Sequence, residues 1–229
     1  MFSIMWREFL SSFKSVKSLV TILIFLGVSL GLSKLVSNFY EPIKSLGIDG
    51  APYAIAIVFM TILISPFFIF TLSHNTINEE IKSSTVRFIA TKTRRINIVM
   101  GKFLGLMLFW CVTLFISSLI SIVYSHHFYI LELIISLIFI SYYLSLSILI
   151  STFITNTTLT NFLGIALSLI MTILGVWSVA SSNTLLKIYS YITPYHYYFS
   201  TDKYLTTIVL IFTSIFLITS IIKFQARDL

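Results

Sequence analysis

Six continuous apolar runs, each bounded by short polar segments, organise the chain. They cover about Leu19–Val36, Tyr53–Leu72, Phe103–Tyr124, Ile130–Phe153, Leu159–Ala180 and Tyr204–Ile222. Each is close to the roughly 20 residues that carry a helix across hydrocarbon at about 1.5 Å per residue. The runs are unbroken and do not alternate, which argues against a membrane β-barrel. Only Ser125-His126-His127-Phe128-Tyr129 separates the third and fourth runs, so these two form a tight helical hairpin. The stretch Phe2–Lys17 has a different rhythm. Phe2, Met5, Trp6, Phe9, Leu10, Phe13 and Val16 draw one stripe on a helix, opposite Ser3, Arg7, Glu8, Ser11, Ser12, Lys14 and Lys17. Such a helix, here residues 1–18, lies in the membrane interface with Trp6 at headgroup depth. Its charges are spread through it and no cleavage site follows, so it does not read as a cleavable signal peptide. The pattern predicts an all-α integral membrane protein of six transmembrane helices with an N-terminal amphipathic interfacial helix. No repeat or low-complexity linker divides it, so residues 1–229 form a single domain.

Composition agrees. The chain is 57% hydrophobic and 10% charged, with a mean hydropathy of +0.99, where soluble domains carry about 25% charged residues. The net charge of +7 is read through topology and not as a nucleic-acid surface, because basic residues collect on the cytoplasmic side. Arg7, Lys14, Lys17, Lys82, Arg87, Lys92, Arg94, Arg95, Lys102, Lys223 and Arg227 fall on one side of a six-span layout. Only Lys34, Lys44, Lys187 and Lys203 fall on the other. That asymmetry predicts a multi-pass protein with both termini cytoplasmic. An odd number of spans would place the two basic ends on opposite sides.

The longest charged segment lies between the second and third runs, over residues 74–100. Asn78 followed by Glu79 and Glu80 predicts a helix start, an N-cap acceptor with two acids at the positive end of the dipole. Ile81, Thr85, Phe88 and Ile89 can share an apolar face, leaving Glu80, Lys82, Arg87 and Lys92 on the rest. The pattern fits a docking helix for a soluble partner, and equally an ordinary solvated loop obeying the charge rule.

Glu80, Thr85, Val86, Arg87, Phe88, Arg94, Arg95, Ile98, Gly101 and Lys102 resemble the cytoplasmic segment of type 2 ABC exporter permeases. That family has an acid, a Gly-Thr-Leu step, a proline-containing turn and a Gly-Lys at the start of span three. The ending Phe224-Gln225-Ala226-Arg227-Asp228-Leu229 is similar to the family's aromatic-then-Arg-Asp-Leu close, and residues 1–18 resemble its elbow helix. Two positions depart from the pattern: Ser84 stands for a common glycine, and Lys92-Thr93 replace the proline turn. The resemblance implies cytoplasmic coupling helices and a bacterial plasma-membrane location. It also implies a second permease subunit, identical or related, and two copies of an ABC ATPase. Glu79, Glu80, Ile81, Arg87, Phe88, Ile89, Arg94 and Arg95 would couple to the ATPase, with Asn156 and Thr157 in the second inner loop as a lesser docking site. The chain has no Gly-x-x-x-x-Gly-Lys-Ser/Thr, so no cofactor is expected to bind it directly, and ATP and Mg would act through the partner ATPase. In the resembled family, the segment matching 181–203 is extracellular and re-entrant. Tyr191, Pro194, Tyr195, Tyr197 and Tyr198 would line an outer gate, or form an interfacial aromatic belt.

Other chemistry is poorly supplied. His126 and His127 are adjacent and point apart, with only Glu132 near them, so no metal site is expected. Ionisable residues are confined to run ends, at Glu132 and Lys34, which argues against an ion-coupled carrier. Thr61, Ser117, Ser145 and Thr172 are expected to serve helix contacts, and Cys111 to pack. No His-Glu-x-x-His or paired intramembrane aspartates occur, so the chain does not read as an enzyme. Apolar, aromatic and hydroxyl-bearing walls suit an amphipathic or hydrophobic cargo: a peptide, lipid or drug. Short permeases rich in Ile, Ser and Phe resemble exporters of cytolytic or antimicrobial peptides, including phenol-soluble modulins. The competing expectation is a non-transporting membrane scaffold or sensor.

Overall fold

The computed structural model describes residues 1–39, 52–82, 93–200 and 202–226, without the side chains of residues 52–56, Glu80 and Lys82. Among these, every regular element is helical. In chain order they are α1 (Phe2–Lys14), α2 (Val16–Asn38), α3 (Pro52–Ser73), α4 (Asn78–Lys82), α5 (Arg95–Ser125), α6 (Ile130–Phe153), α7 (Thr157–Ala180), α8 (Thr184–Ile192) and α9 (Pro194–Tyr198). A 3₁₀ turn (Lys203–Ile208) then leads into α10 (Val209–Gln225). Five helical segments are long and apolar enough to cross a membrane: α2, α5, α6, α7 and the 3₁₀ turn with α10. Their outward faces carry Leu23, Phe162, Ile173 and Ile222, each at least 60% exposed. Surfaces of this kind require lipid and not water. This is a multi-pass membrane protein. The remaining apolar run, α3, is hydrophobic over Ile57–Ser73.

Hydroxyls stitch the helices together and reveal their directions. The Ser29 hydroxyl donates to the Ser117 carbonyl at 2.9 Å, and Ser33 meets Ser121 at 3.2 Å, so α2 and α5 run parallel. Thr61 donates to Ser136 at 3.1 Å and Ser73 to Ser147 at 2.9 Å, which makes α3 parallel to α6 along its length. Ser141 meets Thr213 at 3.2 Å, and Ser220 donates to Thr152 at 3.3 Å, so α10 shares that direction. In an apolar setting such hydroxyl pairs are among the few directional forces between helices, each worth about 0.6 kcal/mol. Thr61 thus serves a helix contact as expected. Ser117 accepts through its carbonyl, while its own hydroxyl and that of Ser145 bond within their helices.

The boundaries differ from the sequence expectation in two places, at the end of α1 and at the start of α5. The N-terminal helix stops at Lys14, where Ser15 is extended (φ −75°, ψ 132°), and α2 begins at Val16. Its apolar stripe is divided. Ile4, Met5, Phe9 and Phe13 turn toward α5, while Phe2, Trp6 and Leu10 stay exposed. Helix α5 starts at Arg95, well before Phe103, because nothing between Arg94 and Gly101 breaks a helix and Ile98 and Val99 are buried. The segment 181–203 is largely helical, since Asn183 caps α8 by accepting from the Leu185 amide at 3.0 Å and Pro194 opens α9.

Gly101 and Gly105 explain the seating of α1. A Cβ at Gly101 would lie 3.0 Å from Ile4, and one at Gly105 only 2.6 Å from the Met5 carbonyl. This Gly-x-x-x-Gly spacing lets the α1 backbone lie directly on α5. Glu8 completes the contact with an ion pair to Lys102 at 3.3 Å, nearly sealed from solvent.

Candidate functional site

Chemistry-bearing side chains gather at the two ends of the bundle. One end holds α1, α4, the start of α5, the end of α10 and residues 154–160. Helix α4 is clamped there by its neighbours. The Ile77 and Asn78 amides both donate to the Ser151 hydroxyl of α6, at 3.0 and 3.2 Å. The Asn78 amide group donates to Thr160 Oγ1 at 2.7 Å and to the Ile154 carbonyl at 3.3 Å. Asn78 was expected to cap α4 with its own side chain. Instead, Ser151 meets the free amides, and Asn78 turns inward to join α4 to the segment before α7. The oxygen Oδ1 of Asn78 is buried without a hydrogen-bond partner.

The expected coupling residues separate accordingly. Glu79 is exposed on α4, and Ile81 packs against the core from the same helix. Glu80 belongs to α4, with its side chain outside the description; Arg87, Phe88 and Ile89 lie outside the described residues. Arg94 is exposed just before α5. Arg95 is engaged within the chain, donating to the Gln225 and Phe224 carbonyls at 2.7 and 3.3 Å. A guanidinium there satisfies the last carbonyls of α10 and faces the negative end of its dipole. Asn156 caps α7, accepting from the Thr158 and Leu159 amides at 3.0 and 3.4 Å, and Thr157 is the first residue of that helix. The structure therefore joins Glu79 and the Asn156–Thr157 turn on one surface through Asn78 and Thr160.

Beside this surface, a polar cleft of about 290 Å³ includes Glu8, Lys17, His74 and Glu79 in its walls. His74 is buried, and Nδ1 lies 3.0 Å from the Phe70 carbonyl and 2.9 Å from that of Thr71, which makes it the protonated nitrogen. Burial holds the imidazole below its ordinary pKa and the Lys17 charge acts the same way, against the opposing pull of the Phe70 and Thr71 carbonyl bonds and, least, of Glu79.

At the opposite end, α8 and α9 fold back into the bundle. Tyr195 is fully buried; its hydroxyl accepts from Tyr143 at 2.9 Å, and its ring packs edge-on against Phe139 at 5.5 Å. Gly175 makes this possible, because a Cβ there would sit 2.1 Å from the Tyr195 ring. Tyr198 meets Ser136 at 3.0 Å, and Tyr197 donates to the Tyr191 carbonyl at 2.9 Å. Pro194 is buried, whereas Tyr191 is exposed and its ring packs at a tilt against His196, centroids 4.2 Å apart. Glu132 pairs with Lys203 at 2.6 Å on the same end. Of the five residues expected to line an outer gate, Pro194, Tyr195, Tyr197 and Tyr198 pack into the bundle and Tyr191 faces out. Among the described residues, no cluster of His, Cys, Asp and Glu is arranged to hold a metal.

Sequence reasoning missed Ser151, Thr160, Tyr143, Gly175 and the Glu8–Lys102 pair. The Gly101–Gly105 spacing was a readable signal for the α1 seat; single residues such as Ser151 and Gly175 carry none. No protein-family model and no curated protein matches the chain.

Proposed function

We propose that this chain is the transmembrane subunit of an ATP-driven exporter of the type 2 ABC class. In this reading α3 is a sixth span and α1 an interfacial helix. A second permease subunit, identical or related, completes the pathway, and two ATPase copies bind at the cytoplasmic end in a bacterial plasma membrane. The observation that carries the reading is the clamped α4, an acid-bearing helix fixed through Ser151 and Asn78 to α6 and to the segment before α7. A force on Glu79 would reach two long helices without being lost in a loose connection.

Two further features support it. Parallel pairing of α3 with α6 supports reading α3 as a span. Arg95 bonds the start of α5 to the end of α10, which fits an even number of crossings between the two. Both ends then lie with the basic residues, the cytoplasmic side by the charge rule. The buried tyrosines of α9 act as the outer gate. The cargo is amphipathic or hydrophobic, a cytolytic or antimicrobial peptide being the preferred class.

The test is co-purification of the tagged chain in mild detergent from its native cells. Recovery of a soluble protein with a Gly-x-x-x-x-Gly-Lys-Ser/Thr loop, reduced by Glu79→Lys or Glu80→Lys, is the expected result. A preparation free of any ATPase, under conditions that preserve other membrane complexes, would leave a scaffold or sensor as the better reading.

A further inference from the structure

The polar cleft of about 290 Å³ lies between α1, the start of α2, the end of α3 and α4, and its walls carry both signs of charge. Its volume is at the lower edge of that of small-molecule sites, about 300–1,000 Å³. Lys17 supplies the positive side from the first turn of α2. Ser15, just before it, does not cap that helix with its side chain, so the first amides of α2 are left for another acceptor. Glu8 and Glu79 supply the negative side, Glu8 being paired already with Lys102. Among the described residues, neither Lys17 nor Glu79 makes an ion pair.

Two nearly buried residues bring unsatisfied polar atoms to the wall. Ser18 is 2% exposed and lines the cleft, and its hydroxyl has no hydrogen-bond partner among the described residues. His74 is 4% exposed and lines it too. Its Nδ1 is committed to the Phe70 and Thr71 carbonyls, which leaves Nε2 as an acceptor without a donor among the described residues. A buried hydroxyl and a buried ring nitrogen in this state are completed by a polar group from outside the chain.

The setting selects the kind of molecule. Helix α2 is long and apolar enough to cross a membrane, so its first turn lies where hydrocarbon gives way to water. Leu19 and Val20, directly after Lys17 and Ser18, are exposed and suit acyl chains. A phosphate fits Lys17, the first amides of α2 and the Ser18 hydroxyl. A lone anion would leave the Glu79 carboxylate unanswered, whereas an ammonium a few bonds from the phosphate donates to it and to Nε2 of His74. We infer that the cleft holds the headgroup of a membrane phospholipid that bears both a phosphate and a primary ammonium. A quaternary ammonium has no N–H to donate at the carboxylate side, and an anionic headgroup without an ammonium brings a like charge toward it. The site needs the membrane setting of α2, but neither an ATPase nor an export role.

The experiment is native mass spectrometry of the full chain in detergent, titrated with phosphatidylethanolamine, phosphatidylcholine or phosphatidylglycerol of the same acyl chains. The first phosphatidylethanolamine should bind about tenfold tighter than either of the others, the scale of one charge-assisted hydrogen bond. Lys17→Gln and Glu79→Gln, both at exposed positions, should each remove that preference on protein that keeps its size-exclusion profile. Lys187→Gln, at an exposed position on α8 at the opposite end, should keep it. Equal binding of the three lipids, or a preference that survives both cleft variants or is lost equally in Lys187→Gln, would overturn the site. Tightest binding of phosphatidylglycerol would overturn the part played by the ammonium. Glycerophosphoethanolamine, the same headgroup without acyl chains, should bind far more weakly; binding as tight as that of the lipid would overturn the membrane as its source. None of these results depends on an ATPase partner, so failure of the export reading would be seen separately.

Discussion

At the end that holds α1 and α4, helices are joined by charges and by side chains that complete the ends of neighbouring helices. Lys102 meets Glu8, Arg95 meets the last carbonyls of α10, and Ser151 meets the first amides of α4. At the opposite end, joints are made by rings and neutral hydroxyls: Tyr195 on Gly175 and Tyr143, and Tyr198 on Ser136. The first kind of joint is directional and costly to break once buried, which suits a rigid transmitting element. The second depends on shape and on bonds of about 1 kcal/mol, which suits an element that must release. The Glu132–Lys203 pair is the exception at this opposite end, and its half-exposed lysine makes it weaker than the pair formed by Lys102.

The largest effect should come from breaking the Glu8–Lys102 ion pair. Lys102→Met leaves the partly buried Glu8 carboxylate, which borders the polar cleft, without this partner, a loss of about 1.5–3 kcal/mol. Thermal unfolding in detergent should show it, and adding Glu8→Gln should recover most of the loss. A bulky residue in the socket of Tyr195 comes next. Gly175→Val forces the Tyr195 ring out or strains it, costing about 1–3 kcal/mol, and should raise protease sensitivity across residues 184–198 before it affects α1. Smaller again is Tyr143→Phe, which removes only the hydroxyl bond to Tyr195 and should cost about 1 kcal/mol in the same unfolding assay.

The smallest effect is that of pH at His74. Its folded pKa lies below its ordinary value because of burial, so near and below the usual ~6.5 the unfolded chain binds more protons. Stability should therefore be full above that value and fall as the pH drops through it toward the folded pKa. His74→Gln should flatten that part of the curve. An unchanged pH profile in this variant would show that the buried imidazole is not the cause.

The six apolar runs, the amphipathic start and the polar character of residues 74–82 were legible because they rest on periodicity and hydropathy, which many residues write together. The inner clamp was not, because it depends on which serine of α6 faces α4. Ser147, Ser151 and Thr152 look alike in sequence, and only packing selects Ser151 to receive two amides. Arg95 misled for a related reason: a basic residue at the end of a charged loop reads as a docking charge until the fold brings the end of α10 against it. The tyrosines of α8 and α9 were found as a cluster, since an aromatic run stands out. Their burial depended on Gly175, whose missing side chain leaves no mark in the pattern beyond one glycine in an apolar helix.

The claim that the clamped inner surface receives an ATPase is tested most directly by photocrosslinking in native membranes. A photoreactive amino acid is placed at Glu79, at Thr157 and, as a lipid-facing control, at Trp177, which is 60% exposed on α7. Adducts at positions 79 and 157 with one soluble nucleotide-binding protein, absent at 177, are the predicted result. Efficient incorporation with no such adduct at either inner position would contradict the account.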